Sequence, residues 1–475
     1  MKGELFKKVA ALLCAAAVSG WSYTLKEAML HTLDTNPVLQ ERIKNYNATL
    51  QDVEIAKSGW LPKVDYSGNV GFESANNLNS GYDWSDYTLY ENSLVLTQNI
   101  FSGWSTTHRI ETQKARLLAA AYSYVESVQD VGYNLTRYYL EVIKNRELLK
   151  IAEENIRINE EIFNKVNKLY NSGLTTKSEM EKAAASLALA RSNRVVQRNN
   201  LQDAVYQYKY YFGKKVDPAR LEEPDLNLPL PKSYREGVDF ALKNNPSLLV
   251  QRYNIRVAQE DYKEKFSGYY PKLDFRASWS WNRNTNGANY GRDDRARVGL
   301  WATYNLFNGF ADSAAIQKGV SNIRREVMTR DDMQRKTEES FDLSWSAYKN
   351  LKEKLANLQE YKLHAVRTLR LYSKEYEMGR RSLLDLLSAQ SDLINAKSQI
   401  AATKYDYLFS KFRILDAMGI MVPAVVGRAQ IYRERVALVP EAEVEKDSLP
   451  ADILERNDRF LQTLEKRRTG KVVSK

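Results

Sequence analysis

The sequence predicts a mainly helical protein with a minor β component, made of two copies of one unit that joins a long helical hairpin to two strands. Three observations predict it: an internal duplication, a strand pattern in each copy, and helical runs too long for a compact domain. Asn36-Pro37 recurs as Asn245-Pro246 and Trp60-Leu61-Pro62-Lys63 as Tyr269-Tyr270-Pro271-Lys272, both 209 residues on. The offset then becomes 206, at which Asn99-Ile100-Phe101-Ser102-Gly103 returns as Asn305-Leu306-Phe307-Asn308-Gly309, Gly173 with Glu179 returns as Gly379 with Asp385, and Phe212-Gly213 returns as Met418-Gly419. Units of this length are not the repeats of an ordinary solenoid, which run to roughly 20–50 residues.

The first copy spans residues 23–232 and the second 233–420. Each opens with a helix, 24–58 and 233–267, nicked by its Asn-Pro step. A Pro-Lys pair follows and the period changes to two. Val64, Tyr66, Gly68, Val70 and Phe72 alternate with polar residues, as do Leu273, Phe275, Ala277, Trp279 and Trp281, so strands are expected at about 64–74 and 272–283. After polar loops, returning strands are expected at about 87–101 and 296–307, with a parity slip near Glu91 to Ser93 that a bulge would explain. The helical period then resumes. Residues 102–171 and 308–378 contain no proline and step by four and three through Leu117, Ala121, Tyr124, Val128 and Val131, or through Phe341, Tyr348, Leu351 and Leu355. Some 70 residues make a helix of roughly 105 Å, and apolar heptads along all of it call for helical partners throughout. The return helices, 175–212 and 382–418, are too short to pair with it alone. An opening half-helix stacked end to end on a return helix supplies the missing length.

Composition narrows the classes. Apolar residues make up 43% and charged residues 27%, which excludes both a disordered chain and a bundle of membrane helices. Lys2, Lys7 and Lys8 flank an apolar stretch, so residues 1–22 read as a secretory signal peptide cut near Ser22. The only cysteine, Cys14, lies inside it. Leu13 stands where a lipid-attachment motif wants a small residue, which disfavours a lipoprotein, and stability without disulfides must come from packing or assembly. Subtracting that segment's charge (three Lys against Glu4, +2) from +11 leaves +9, interleaved with acidic residues as on solvated helix faces, so no nucleic-acid partner is expected. His31, His108 and His364 have no ligand spacing, and no metal, cofactor or catalytic site is expected. No phosphate-binding loop or nucleophile elbow is present in the sequence, so this chain is not expected to hydrolyse ATP.

Four strands with one apolar face leave open edges. In a membrane only a closed barrel satisfies every backbone group, and about eight strands is the usual minimum. The strands therefore predict chains sharing one barrel, with Phe72, Trp279, Trp281 and Tyr304 facing lipid or its interface. The alternative is the edge of a soluble β-sandwich beside a helical domain.

The ordered set of Asn-Pro helices, Pro-Lys strand entries, Asn-Ile-Phe-Ser-Gly and Asn-Leu-Phe-Asn-Gly strand exits, and the turn Gly379-Arg380-Arg381-Ser382-Leu383-Leu384-Asp385 resembles the TolC family of outer-membrane export channels over residues 24–420. The resemblance implies a trimer whose twelve strands close an outer-membrane barrel continuous with a periplasmic α-helical barrel. It further implies a passive duct for type I protein secretion or small-molecule efflux, serving an inner-membrane ABC or proton-driven pump through a periplasmic adaptor. The turns at Gly173 and Gly379 are local helix caps, with Thr176-x-x-Glu179 and Ser382-x-x-Asp385 as capping boxes. By resemblance they are also the periplasmic entrance, with Asp385 in an acidic constriction, Glu179, Tyr376 and Arg381 in the lock, and Gly173, Thr176, Gly379 and Ser382 meeting the adaptor. Ser388 stands where a second acidic ring would be. A secreted or periplasmic coiled-coil scaffold or adhesin stalk is the competing expectation. Residues 421–475 depart from the repeat and are expected to form a charged tail.

Overall fold

The computed structural model describes residues 23–76, 78, 81–224, 228–285, 291–427, 459, 462 and 463. The expected signal peptide and nearly all of the expected tail lie outside the described residues. In chain order the elements are α1 (Leu25–Thr35), α2 (Pro37–Lys57), β1 (Lys63–Ala75), β2 (Ser85–Ser102), α3 (Ser105–Asn171) and α4 (Lys177–Phe212). The second copy follows with α5 (Tyr234–Asn244), α6 (Pro246–Glu264), β3 (Lys272–Arg283), β4 (Arg292–Thr303), α7 (Ala311–Glu377) and α8 (Leu383–Ala417), then a short α9 (Met421–Val426). The outgoing helices α3 and α7 are each 67 residues long and unbroken.

The opening segments are each two helices rather than one nicked helix. Asn36 and Asn245 adopt extended backbone (ψ 125° and 127°), because a residue preceding proline is driven out of the α region. Each asparagine then serves two helix ends. The Oδ1 atoms of Asn36 and Asn245 accept from Val38 N and Ser247 N, both at 3.0 Å. Their Nδ2 atoms donate to Tyr211 O at 3.5 Å and Ala417 O at 3.0 Å, in the last turns of the return helices. Half-helices therefore meet end to end at both joints, as the lengths require.

Contacts divide the chain into two compact units. The unit comprising described residues 23–43, 124–248 and from 334 onward holds both Asn-Pro joints. Its core includes α9, whose Met421, Val422 and Pro423 are buried against α1 and α8, so the chain after 420 begins as core and not as tail. Gly132, inside α3, is required here, since a Cβ would lie 2.4 Å from Val422 Cγ2 and 3.1 Å from Met29 Sδ. Gln129 lines the same seam, donating to Gly419 O at 2.7 Å and accepting from Val422 N at 3.2 Å.

The other unit comprises residues 44–123 and 249–333. Its sheet is antiparallel in the order β1-β2-β3-β4, leaving β1 and β4 as edges. Val64, Tyr66, Val70 and Phe72 stand opposite Leu96, Leu94, Tyr90 and Thr88, and the run continues through Trp279 opposite Leu94 and Leu300 opposite Phe275. One apolar face thus crosses all four strands. β1 and β2 keep an unbroken register from Lys63↔Thr97 to Ala75↔Ser85, so the slip expected at 91–93 is absent there. Toward β3, side chains replace the ladder at that point, with Asn282 Oδ1 accepting from Asn92 N at 2.9 Å, and the register shift falls at Asn99/Phe101. β4 ends at Thr303, not at 307, because β3 begins at Lys272 opposite it and leaves residues 304–307 without a strand to pair with. It begins earlier than expected, at Arg292, where Arg292–Asp294 (2.7 Å) and Arg295–Asp293 (2.6 Å) pair along one strand. Beyond the sheet, His108 Nδ1 lies 2.9 Å from Glu260 Oε2 and Thr112 Oγ1 donates to Asp261 at 3.1 Å, tying α3 to α6.

Asp416 sits in the last turn of α8, where the helix dipole disfavours a negative charge. Although part of the residue stays accessible, desolvation, and then the charge of Asp130, push its carboxyl up to about 8 against the opposing Arg413. A folded-state value above the unfolded one means the native state binds the extra proton, so this site's contribution is full below about pH 4 and fades as pH rises toward 8. Denaturation of the solubilised protein should show stability falling across that window, and Asp416→Asn should flatten the slope. Gly132→Ala should cost about 1–2 kcal/mol, overpacking outweighing the gain in helix propensity. In a Val422→Ala background, where the closest clashing methyl is gone and only Met29 still crowds the site, that penalty should shrink in the same unfolding measurement.

Candidate functional site at the helical turns

The turns joining α3 to α4 and α7 to α8 are built alike. Gly173 and Gly379 take left-handed φ of 71° and 69°, and each is followed by a 6→1 bond, Leu174 N to Leu169 O at 2.9 Å and Arg380 N to Glu375 O at 2.8 Å. Thr176 and Ser382 then cap the return helices, accepting from Glu179 N at 3.4 Å and Asp385 N at 3.2 Å. Only this half of each expected capping box forms. The Glu179 carboxylate accepts instead from the Thr175 hydroxyl, and Asp385 Oδ2 from the Ser382 hydroxyl at 2.9 Å.

Beneath the turns the two hairpins share a core. Val166 of α3, Ala183 of α4, and Leu383 and Leu386 of α8 are buried together, and Tyr376 of α7 packs against them. Burying the valine and the two leucines contributes roughly 1.5–3 kcal/mol each, the alanine less. A bridge from Lys165 Nζ to Glu377 Oε1 at 2.7 Å also joins α3 to α7, and it holds the Glu377 carboxyl below its usual range.

The expected lock residues fall into two groups. Arg381 and Asp385 approach to 3.9 Å, but the closer partner of Arg381 is Glu375, with Nε donating to Oε2 at 2.9 Å. Its guanidinium also lies 4.2 Å from the centre of the Tyr372 ring. Hydrogen bonding to Glu375 raises the Arg381 pKa further. Tyr376 and Glu179 form the other group: burial first, then the negative charge of Glu179, raises the tyrosine's pKa. Ser388 is exposed one helical turn after Asp385. Glu375, Tyr372 and Thr175 were not legible as site residues. The spacing of Glu375 to Arg381 crosses the left-handed glycine, and helical i, i+4 reasoning does not reach over such a turn.

Of the aromatics expected to face lipid, Phe72, Trp279 and Tyr304 are 74%, 50% and 53% exposed. Trp281 is half-buried, stacked on Tyr66 at 6.1 Å and tilted against Trp279 at 4.9 Å. Tyr304 follows the end of β4 rather than lying within it. Among the described residues no three His, Cys, Asp or Glu side chains are grouped to hold a metal.

A duplicated pair of long helical hairpins carrying a four-stranded sheet with an apolar face is the protomer architecture of an outer-membrane export channel. The chain belongs to the outer membrane efflux protein family, whose profile matches residues 31–210 and 238–419. It is 24% identical over 439 residues to outer membrane protein TolC of Escherichia coli (strain K12), covering 87% of each chain. It is also 24% identical over 405 residues to the alkaline protease secretion protein AprF of Pseudomonas aeruginosa, covering 82% of this chain and 83% of that one. The fold matches the crystal structure of the Campylobacter jejuni CmeC outer membrane channel with a TM-score of 0.76 at 16% identity, covering 88% and 90% of the two chains. The protein is therefore a TolC-type channel of the outer membrane with a periplasmic helical extension, and not an enzyme. The scaffold or adhesin-stalk expectation is set aside by the same finding.

Arg381→Ala should free the second turn from Glu375 and Tyr372. Hydrogen exchange at the amides of residues 379–386 should accelerate, with Arg381→Lys intermediate because it keeps the charge and loses the planar stack. Equal exchange rates in all three proteins would show that the arginine does not hold the turn.

Proposed function

We propose that three copies assemble into a passive duct, their twelve strands closing one barrel in the outer membrane and their helical hairpins extending into the periplasm. The observation that carries this is the apolar face continuous across four strands with both edges unpaired, which three chains can close and one cannot. Phe72, Trp279, Trp281 and Tyr304 face lipid or the interface in this reading. The helical turns form the periplasmic entrance. Asp385 of each copy lines its constriction, while Arg381, Tyr376 and Glu179 hold it closed, and Ser388 leaves one acidic ring where two could stand.

The shared tip core and the Lys165–Glu377 bridge resist separation of the two hairpins within a chain. Opening therefore requires a partner that binds the open tips more tightly than the closed ones. An inner-membrane pump, ABC or proton-driven, acting through a periplasmic adaptor, supplies that difference. Leu174, Met378 and Leu384 are 75%, 60% and 55% exposed beside Gly173, Thr176, Gly379 and Ser382, which suits these turns to meet the adaptor. The relatives include a protease secretion protein, so both protein secretion and efflux of small molecules fit a duct of this kind.

Single-channel recording tests the constriction. Asp385→Ala should raise cation conductance or abolish block by multivalent cations, since a ring of carboxylates in a narrow pore retains cations. Conductance and block both identical to the parent protein would remove Asp385 from the pore lining.

A further inference from the structure

Beside the tip core, α3, α7 and α8 line an open groove of about 580 Å³. Its walls are apolar, with Ile162, Leu369 and Leu393 among them, and its volume is in the range of small-molecule sites. Gln390 of α8 lines it, 2% exposed, and neither its Nε2 nor its Oε1 has a hydrogen-bond partner among the described residues. A buried amide left unsatisfied is destabilising. The comparison with Gln129 is direct. That glutamine, equally buried, has both atoms satisfied by one backbone C=O and one backbone N–H.

Charge at the groove is asymmetric. Lys165, Arg370 and Lys374 line it against the single carboxylate of Glu161. Lys165 is paired with Glu377, and Lys374 also draws on that carboxylate, but Arg370 makes no ion pair among the described residues. The groove thus combines an apolar volume, a cation at the wall, and a Gln390 side chain in that wall whose partnerless donor and acceptor are closed to solvent.

We propose that this groove binds a small amphipathic carboxylate containing a secondary amide, of the N-acyl amino acid type. The acyl chain fills the apolar volume, the Gln390 side chain turns toward it so that Nε2 and Oε1 meet the ligand's amide C=O and N–H, and the carboxylate meets Arg370. The ligand spans three helices of the two hairpins and so adds to the contacts that hold them together. The inference stands apart from the gate reading, because binding is read on the folded protein whether or not Asp385 lines a pore.

N-octanoylglycine and N-octanoylsarcosine are the probes, since the second differs by a methyl group in place of the amide hydrogen. With the full-length protein in lipid nanodiscs, calorimetric titration should show saturable binding of N-octanoylglycine at least about tenfold tighter than N-octanoylsarcosine, one buried hydrogen bond converted to affinity. Gln390→Leu and Gln390→Met should lose that preference, and Arg370→Ala should weaken both ligands. The preference in the parent protein needs no variant to fold. Absence of saturable binding, as expected if Gln390 is met only by ordered water, would overturn the proposal, as would equal affinity for the two probes or a preference that survives in both Gln390 variants.

Discussion

The rest of the structure depends on the joint where a return helix ends and an opening half-helix begins. A 67-residue helix must be accompanied along its length, and apart from α3 and α7 themselves no helix among the described residues is longer than the 36 residues of α4. Wherever two such helices meet, the last carbonyls of one and the first N–H groups of the other lack partners within their own helices. Asn36 and Asn245 answer both demands at once, accepting from the new helix and donating to the old. The proline that follows each omits one N–H where a helix start has no use for it. Two joints built alike let both copies span a long hairpin with short pieces, and α9 and Gly132 close the packing around the second.

The copies diverge at the helical turns. Both turns use a left-handed glycine and a hydroxyl cap, so their backbones are nearly the same. Their side chains are not. The first turn presents Glu179 held by Thr175, while the second presents Arg381 held by Glu375, Tyr372 and Asp385. The acidic residue proposed for the constriction is therefore partly balanced by a neighbouring cation of its own chain. A core of aliphatic side chains below ties the hairpins, which makes their separation an event that needs external free energy.

Much of the candidate site was legible, and its limits were physical. Gly173 with Glu179 and Gly379 with Asp385 mark both turns by repetition alone, and helix caps follow from residue type at fixed spacing. The reciprocal legs of the capping boxes were not legible, because a nearby hydroxyl competes for each carboxylate and sequence spacing does not rank the two. Glu375 and Gln390 were missed for a related reason. One reaches its partner across a chain reversal, and the other is notable only for what three helices fail to offer it.

By itself the sequence determined the duplication, the order and type of every long element, and the apolar face of the sheet, since period and punctuation are local properties of the chain. It also determined that one copy of the chain cannot close a barrel, because strand number is counted and not folded. Only the tertiary structure decided where β4 stops, where the strand register shifts, that α9 enters the core, and which partners the tip charges choose. Each of these depends on what an opposing segment supplies: a strand that ends, a side chain that replaces a ladder bond, a glycine that makes room. Such partners lie hundreds of residues away or across a turn, beyond the reach of any local pattern.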